Sequence, residues 1–217
     1  MSAMRRPSII AEQARNARGL LGRLIAFIMA RRTWAENLRA IEALGILDGD
    51  HVLDIGCGHG RSLAALAART PSGRVAGADP SELMVEIAVA RNHDLIKRKR
   101  VDVAIAGVEA LPFEDARFDR ALCVHVVYFW KDLDAGLREI ARVLKPGARL
   151  ALILRTSADA AAVSRFPADV YCFRPLDEVL AALRAAGLDP EVVDHAREPA
   201  LVVARTASPN RRVHARP

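Results

Sequence analysis

Three glycines, Gly56, Gly58 and Gly60, fall within five residues directly behind the run Val52-Leu53-Asp54-Ile55, and an apolar pattern at helical spacing follows them. A glycine behind a strand lets the backbone adopt positive φ and removes the side chain that would hold a ligand off. Amides at the start of the next helix point back at such a loop and favour a negative group there. A strand, a glycine turn and a helix in this order restrict the chain to a fold built from strand–helix units.

The rest of the chain keeps the alternation. Short apolar runs recur over 74–78, 101–105, 118–124 and 149–154, with two later ones around Val192-Val193 and Leu201-Val202-Val203. Helical spacing covers 60–69, 81–91, 132–144 and 175–186, the last stopped by Gly187. Thr70-Pro71-Ser72-Gly73 and Lys145-Pro146-Gly147 read as turns. The pattern predicts an α/β fold, a Rossmann-like, mostly parallel seven-stranded sheet with helices on both faces. Ligands in such sheets sit beyond the carboxyl ends of the strands near the switch point, which is where the glycine loop falls. Ahead of the first strand, 8–31 reads as one helix and 33–44 as a second, ending at Gly45.

Composition narrows the function classes. The chain has 217 residues, 52% hydrophobic and 27% charged, enough for one globular core with an appendage. Its net charge of +6 is uneven: 1–40 holds eight Arg and two Glu, and 205–217 holds four Arg and no acid, leaving the middle slightly acidic. That distribution speaks against a nucleic-acid-binding core; the basic ends are either solvated or form an arm for a membrane or nucleic acid. Lys97 to Arg100 reads as a solvated loop face. The three cysteines form no CxxC pair, which fits a reducing cytoplasm and gives no metal-ligand pattern. The segment 20–30 is interrupted by Arg23 and falls short of the roughly 20 apolar residues of a membrane span. It carries no clean signal-peptide pattern either.

The glycine loop fits some phosphate binders poorly. A P-loop needs GxxxxGK[ST], but Arg61 stands five residues after Gly56. A dinucleotide fingerprint needs GxGxxG, and Arg61 again occupies the last position. What remains is GxGxG with an acid two residues ahead. Asp54-Ile55-Gly56-Cys57-Gly58-His59-Gly60 resembles the first motif of class I S-adenosylmethionine-dependent methyltransferases. Gly77-Ala78-Asp79-Pro80-Ser81 with Met84 resembles the family's GxDxSxxM stretch. Glu109-Ala110-Leu111-Pro112-Phe113, Phe118-Asp119, and the segment from Leu137 to Gly147 follow in the family's order, so the resemblance runs from about residue 48 to 205.

The resemblance implies S-adenosylmethionine as cofactor and methyl transfer as the reaction. Loop and helix amides around Gly56, Cys57, Gly58, His59 and Gly60 would meet the methionine carboxylate, with Cys57 a small buried filler. Asp54 either shapes the loop or touches the ligand, and His59 either lines the methionine pocket or lies exposed. Asp79 would accept both ribose hydroxyls, Pro80 and Met84 would face the adenine, and Val108 and Glu109 would flank its other side. Gly107 departs from the family, where many relatives carry Asp or Asn to accept the adenine amino group. His125 ends the fourth run where the substrate cavity opens, as a base or as a packed histidine. Tyr128, of Tyr128-Phe129-Trp130, is the aromatic expected to face that cavity. No NPPY-like segment follows the fourth strand, which lowers nucleic acid and protein as acceptors. Similarity to the ubiquinone/menaquinone-biosynthesis group implies a helical cap over 1–47, the binding domain over 48–206 and a basic tail over 207–217. The expected protein is a cytoplasmic methyltransferase acting on a small or lipophilic molecule. Open alternatives are a lipid acceptor with peripheral membrane contact through GLLGRLIAFIMARR, a non-catalytic S-adenosylmethionine-binding protein, and an NAD-dependent oxidoreductase that Arg61 opposes. No metal is expected.

Overall fold

The computed structural model describes residues 7–194 and 198–208. Three helices lead: α1 (Ser8–Arg15), α2 (Gly19–Arg32) and α3 (Trp34–Leu44). The strand–helix alternation then runs β1 (His51–Ile55), α4 (Arg61–Arg69), β2 (Arg74–Asp79), α5 (Glu82–Arg91), α6 (His93–Lys97), β3 (Val101–Ile105), β4 (Phe118–Val124), α7 (Leu133–Val143) and β5 (Leu144–Leu154). It closes with α8 (Ala160–Arg165), α9 (Leu176–Ala185), β6 (Leu188–Asp194) and β7 (Ala200–Thr206).

The seven strands form one sheet in the order β3-β2-β1-β4-β5-β7-β6. All neighbours are parallel except β7, which runs antiparallel to both β5 and β6. The chain winds outward from β1 to β3 and then returns to β4 beside β1, so the switch point lies between β1 and β4. Side chains alternate across the sheet with period two. Leu53 and Ile55 join Leu137, Ile140 and Val143 of α7 and Val179 and Leu183 of α9 in one core layer. Val52 points the other way, against Ala40, Ile41 and Leu44 of α3 and Leu63 and Leu66 of α4. Helices therefore cover both faces, and α3 is part of the sheet's own core.

Several local expectations are corrected. The single helix expected over 8–31 is two helices, broken at Asn16, Ala17 and Arg18. Gln13 Oε1 accepts from the Arg18 amide at 2.7 Å, and the Ala17 carbonyl accepts from Ser81 Oγ at 2.7 Å. That tertiary contact overrides the helical pattern. Arg100 is not a solvated member of its basic cluster: it donates to the carbonyls of Gly73, Ala67 and Thr70 at 2.9, 3.1 and 2.6 Å. α6 and α8 span five and six residues, too short for a helical period to register. The strand expected over 149–154 begins at Leu144, with a register shift between Phe118 and Arg120 on its neighbour and Gly147 at φ 79°. Of the expected basic tail, residues 209–217 lie outside the described residues.

Candidate functional site

β1 ends at Ile55 and the chain turns through Gly56 at φ 73° and Gly58 at φ 53°. The amides of Gly56 and Cys57 both donate to the Ala78 carbonyl, at 2.7 and 3.1 Å, which binds the turn to the end of β2. A Cβ on Gly56 would run into Val126, whereas one on Gly58 would meet nothing within 4 Å. The first glycine thus serves the fold and the second leaves room for a ligand. The Gly58 amide donates to Asp79 Oδ2 at 2.9 Å, and the Ser81 amide donates to Asp79 Oδ1 at 2.9 Å. Each carboxylate oxygen still has acceptor capacity. Burial pushes the Asp79 pKa up, against the pull of these two amides. Asp54 is only 3% exposed and accepts from Ser62 Oγ on α4. Burial, with a smaller contribution from Asp79, drives its pKa to about 7, while the Ser62 bond opposes the rise.

These groups open onto a cavity of about 530 Å³, a volume suited to a cofactor-sized ligand. Its walls bring Gly58, Asp79, Pro80, Met84, Val108 and Glu109 together with His125, Val126, Phe129 and Trp130. Residues from the leading segment, among them Asn16 between α1 and α2 and Trp34 and Asn37 of α3, complete the lining. Met84 is both wall and core, packed with Ala17, Leu83 and Ile87. Cys57 lines the cavity with its thiol pushed far up by burial, so its side chain is an inert filler. His59 also lines it; its Nδ1 accepts from the Arg61 amide at 3.2 Å, and burial followed by Arg91 lowers its pKa to about 4.

Gly107 lines the cavity too, and a Cβ added to it would lie 3.3 Å from Glu109 Oε2. The Glu109 carboxylate therefore reaches the space where an Asp or Asn side chain at 107 would begin.

His125 follows β4 at φ 61°, a left-handed conformation that a residue with a Cβ adopts at a cost. Its amide donates to the Ile153 carbonyl at 2.8 Å. Its ring is 9% exposed, its Nδ1 has no hydrogen-bond partner among the described residues, and burial, then Arg155, lowers its pKa to about 4. The ring is neutral at pH 7, and its unpaired Nδ1 is buried rather than open to the cavity.

Two expected site residues lie elsewhere. Tyr128 is not among the cavity-lining residues. Val127–Phe129 form a 3₁₀ turn, which sends the ring of Tyr128 toward Tyr171, Phe129 and Phe173 at centroid distances of 5.3, 4.8 and 5.2 Å. Burial holds its hydroxyl protonated, and its neighbours Phe129 and Trp130 take the wall positions. Gly60 also leaves the lining: a Cβ there would lie 2.7 Å from Ala88 Cβ and 2.8 Å from Asn92 Nδ2. It serves the close packing of α4 on α5. No sequence pattern points to Arg15, Asn16, Trp34, Asn37 and Lys131 as site residues, or to a cavity role for Arg61, yet all six line the cavity. Only a stacking pair hints at their place, with the Arg61 guanidinium 3.9 Å from the Trp34 ring centre.

Residues 53–152 match the family described as "Methyltransferase domain". The chain is 30% identical over 132 residues to an uncharacterized methyltransferase, YdaC, of Bacillus subtilis, covering 61% of this chain and 71% of that protein. It is 38% identical over 151 residues to the 27-O-demethylrifamycin SV methyltransferase of Amycolatopsis mediterranei, covering 66% of this chain and 55% of that protein. A solved structure of an S-adenosylmethionine-dependent methyltransferase from Aquifex aeolicus superposes with a TM-score of 0.63 at 25% identity, over 78% of this chain and 88% of that one. The chain spans about half the length of the rifamycin enzyme and 32% of a Streptomyces fradiae transposon protein it also matches.

Proposed function

The chain belongs to the class I S-adenosylmethionine-dependent methyltransferases, and from that premise we propose that it methylates a small or lipophilic acceptor by in-line transfer. The observation that carries this reading is that one cavity takes in Asp79 and the glycine loop together with His125, Phe129 and Trp130. Bound there, S-adenosylmethionine supplies an electrophilic methyl group. The residues present fit such a ligand. Asp79 would accept the ribose hydroxyls with its remaining lone pairs, and the turn at Gly58 leaves space beside amides for a carboxylate. Glu109, reaching over Gly107, would take the adenine amino group. His59, Pro80, Met84 and Val108 would complete the contact.

Transfer needs little covalent help, since positioning alone accounts for roughly 7–11 kcal/mol in well-oriented reactions. His125, neutral at pH 7 and lining the cavity, would stand beside the acceptor either as a base or as a packed wall residue. The aromatic walls would exclude water. α1 and α2 would act as the cap, in a cytoplasmic enzyme whose exposed α2 leucines rest on a membrane when the acceptor is a lipid. The exposure of Leu20, 86%, and Leu24, 56%, supports that last element.

Equilibrium binding of S-adenosylhomocysteine tests the premise. Asp79→Ala should weaken it by at least about tenfold, as expected for loss of charge-assisted hydrogen bonds. Unchanged affinity in a folded Asp79→Ala protein would overturn the reading. Methyl release over a panel of hydroxylated and lipid acceptors separates an enzyme from a cofactor-binding protein.

A further inference from the structure

A second cavity, of about 250 Å³, lies at the opposite edge of the sheet, where the strands begin. His51 opens β1 and Arg74 opens β2, and both line it. At a strand rise of about 3.3 Å per residue, it sits roughly 13–17 Å below Ile55 and Asp79, so no single small ligand reaches both sites.

Four cationic residues, Arg74, Lys99, Arg100 and Arg117, line this cavity together with His51 and one acid, Asp102. Two of the four are held in place by neutral partners. Arg100 is tied to three backbone carbonyls, and the Arg117 guanidinium lies 5.2 and 5.4 Å from the ring centres of Phe113 and Phe118. Such contacts fix the groups without neutralising them. The ion pairs among the described residues involve none of the four. Lys99 stands at φ 56° just past the end of α6, a place where glycine is the usual choice. The lysine keeps a cation on the cavity wall at a backbone cost.

We propose that this cavity binds the phosphate group of a small anionic ligand. Guanidinium donors match phosphate oxygens; Arg100, with Nε and Nη2 committed to carbonyls, keeps Nη1, and the two arginines already held lose little freedom on binding. A volume below the roughly 300 Å³ at which drug-sized pockets begin suits a phosphate or diphosphate head. The inference stands apart from the methyl-transfer reading, because it uses none of that site's residues.

Calorimetric titration of inorganic pyrophosphate into the full chain, at fixed ionic strength, tests it. The expected result is saturable one-site binding. Arg74→Glu combined with Lys99→Glu, both at exposed positions, should weaken it by at least about tenfold. Asp102→Asn should tighten it. Retained S-adenosylhomocysteine binding shows that each variant is folded. The proposal fails if the response is non-saturable, if chloride at matched ionic strength reproduces it, or if the double variant binds pyrophosphate like the native chain.

Discussion

Asp54 and the two cavity histidines titrate in the same pH range with opposite effects on stability. Asp54 has a folded pKa of about 7 against an ordinary 3.8, so its contribution is fully present at low pH and is lost as pH rises through 7. His59 and His125 have folded pKa values of about 4 against 6.5, so theirs is present above 6.5 and is lost as pH falls toward 4. Asp54→Asn keeps an acceptor for Ser62 but removes the opposing proton. Its stability should then climb more steeply with pH, by about 1.4 kcal/mol per unit between roughly pH 4.5 and 6.5. Urea unfolding at several pH values reads the slope, and equal slopes in the two proteins contradict the assignment. Glu109 makes a second prediction. If its carboxylate holds the adenine amino group in place of a residue at 107, Glu109→Gln should narrow the preference for S-adenosylhomocysteine over its deaminated, 6-oxo analogue by about tenfold. An unchanged preference removes Glu109 from the adenine contact. The place of Asp79 was legible through the resemblance of Gly77 to Met84 to a family motif, and the structure puts it at the end of β2 on the cavity wall. Phe129 was not, because the difference between wall and core at 128–129 is one step of a 3₁₀ turn, which residue types do not announce.

Gly60 shows how an element contact can look like a ligand contact. Its spacing places it in the glycine motif, yet its missing side chain faces Ala88 and Asn92 of the neighbouring helix. Gly60→Ala should destabilise the protein by about 1–3 kcal/mol, from overpacking and from φ 72° together. The folded fraction should keep its S-adenosylhomocysteine affinity, whereas lost affinity at full stability would return Gly60 to the ligand. The same separation explains what was legible of the fold. β1 to β4 announce themselves through apolar runs bounded by turn residues, α4, α7 and α9 through one-sided periodicity, and α5 through Ser81 at its start. The break between α1 and α2 does not, because Ala17 leaves the helix to meet Ser81, 64 positions away in sequence. Asn16 enters the cavity by that same docking, whereas Trp34 and Asn37 reach it from α3, and the place of all three depends on tertiary geometry that no local pattern carries.

Charge and apolar surface are unevenly distributed over the molecule, and α2 carries a share of both. On α2, Leu20, Leu21, Leu24 and Ile28 are all exposed, by 86%, 42%, 56% and 46%. At about 100° per residue they share a single arc of roughly 100°. Arg23 and Arg32 fall on either side of that arc, and Arg18 precedes the helix. Among the described residues no helix is long and apolar enough to cross a membrane; α2 as a whole is only weakly amphipathic, so a lipid contact would rest on this exposed arc and the arginines beside it. Burying it in a lipid headgroup layer would gain from apolar transfer and from arginine attraction to anionic lipid at once. The full chain should therefore float with vesicles containing phosphatidylserine and stay behind with neutral phosphatidylcholine vesicles. Leu20→Ser with Leu24→Ser should abolish flotation even at low salt, because each exposed leucine is worth about 1.5–3 kcal/mol on burial. Arg23→Glu should instead weaken it in a salt-dependent way. Equal recovery on neutral and anionic vesicles, or full flotation of the leucine variant, would leave the stripe without a membrane role and a soluble acceptor as the simpler reading of the cavity.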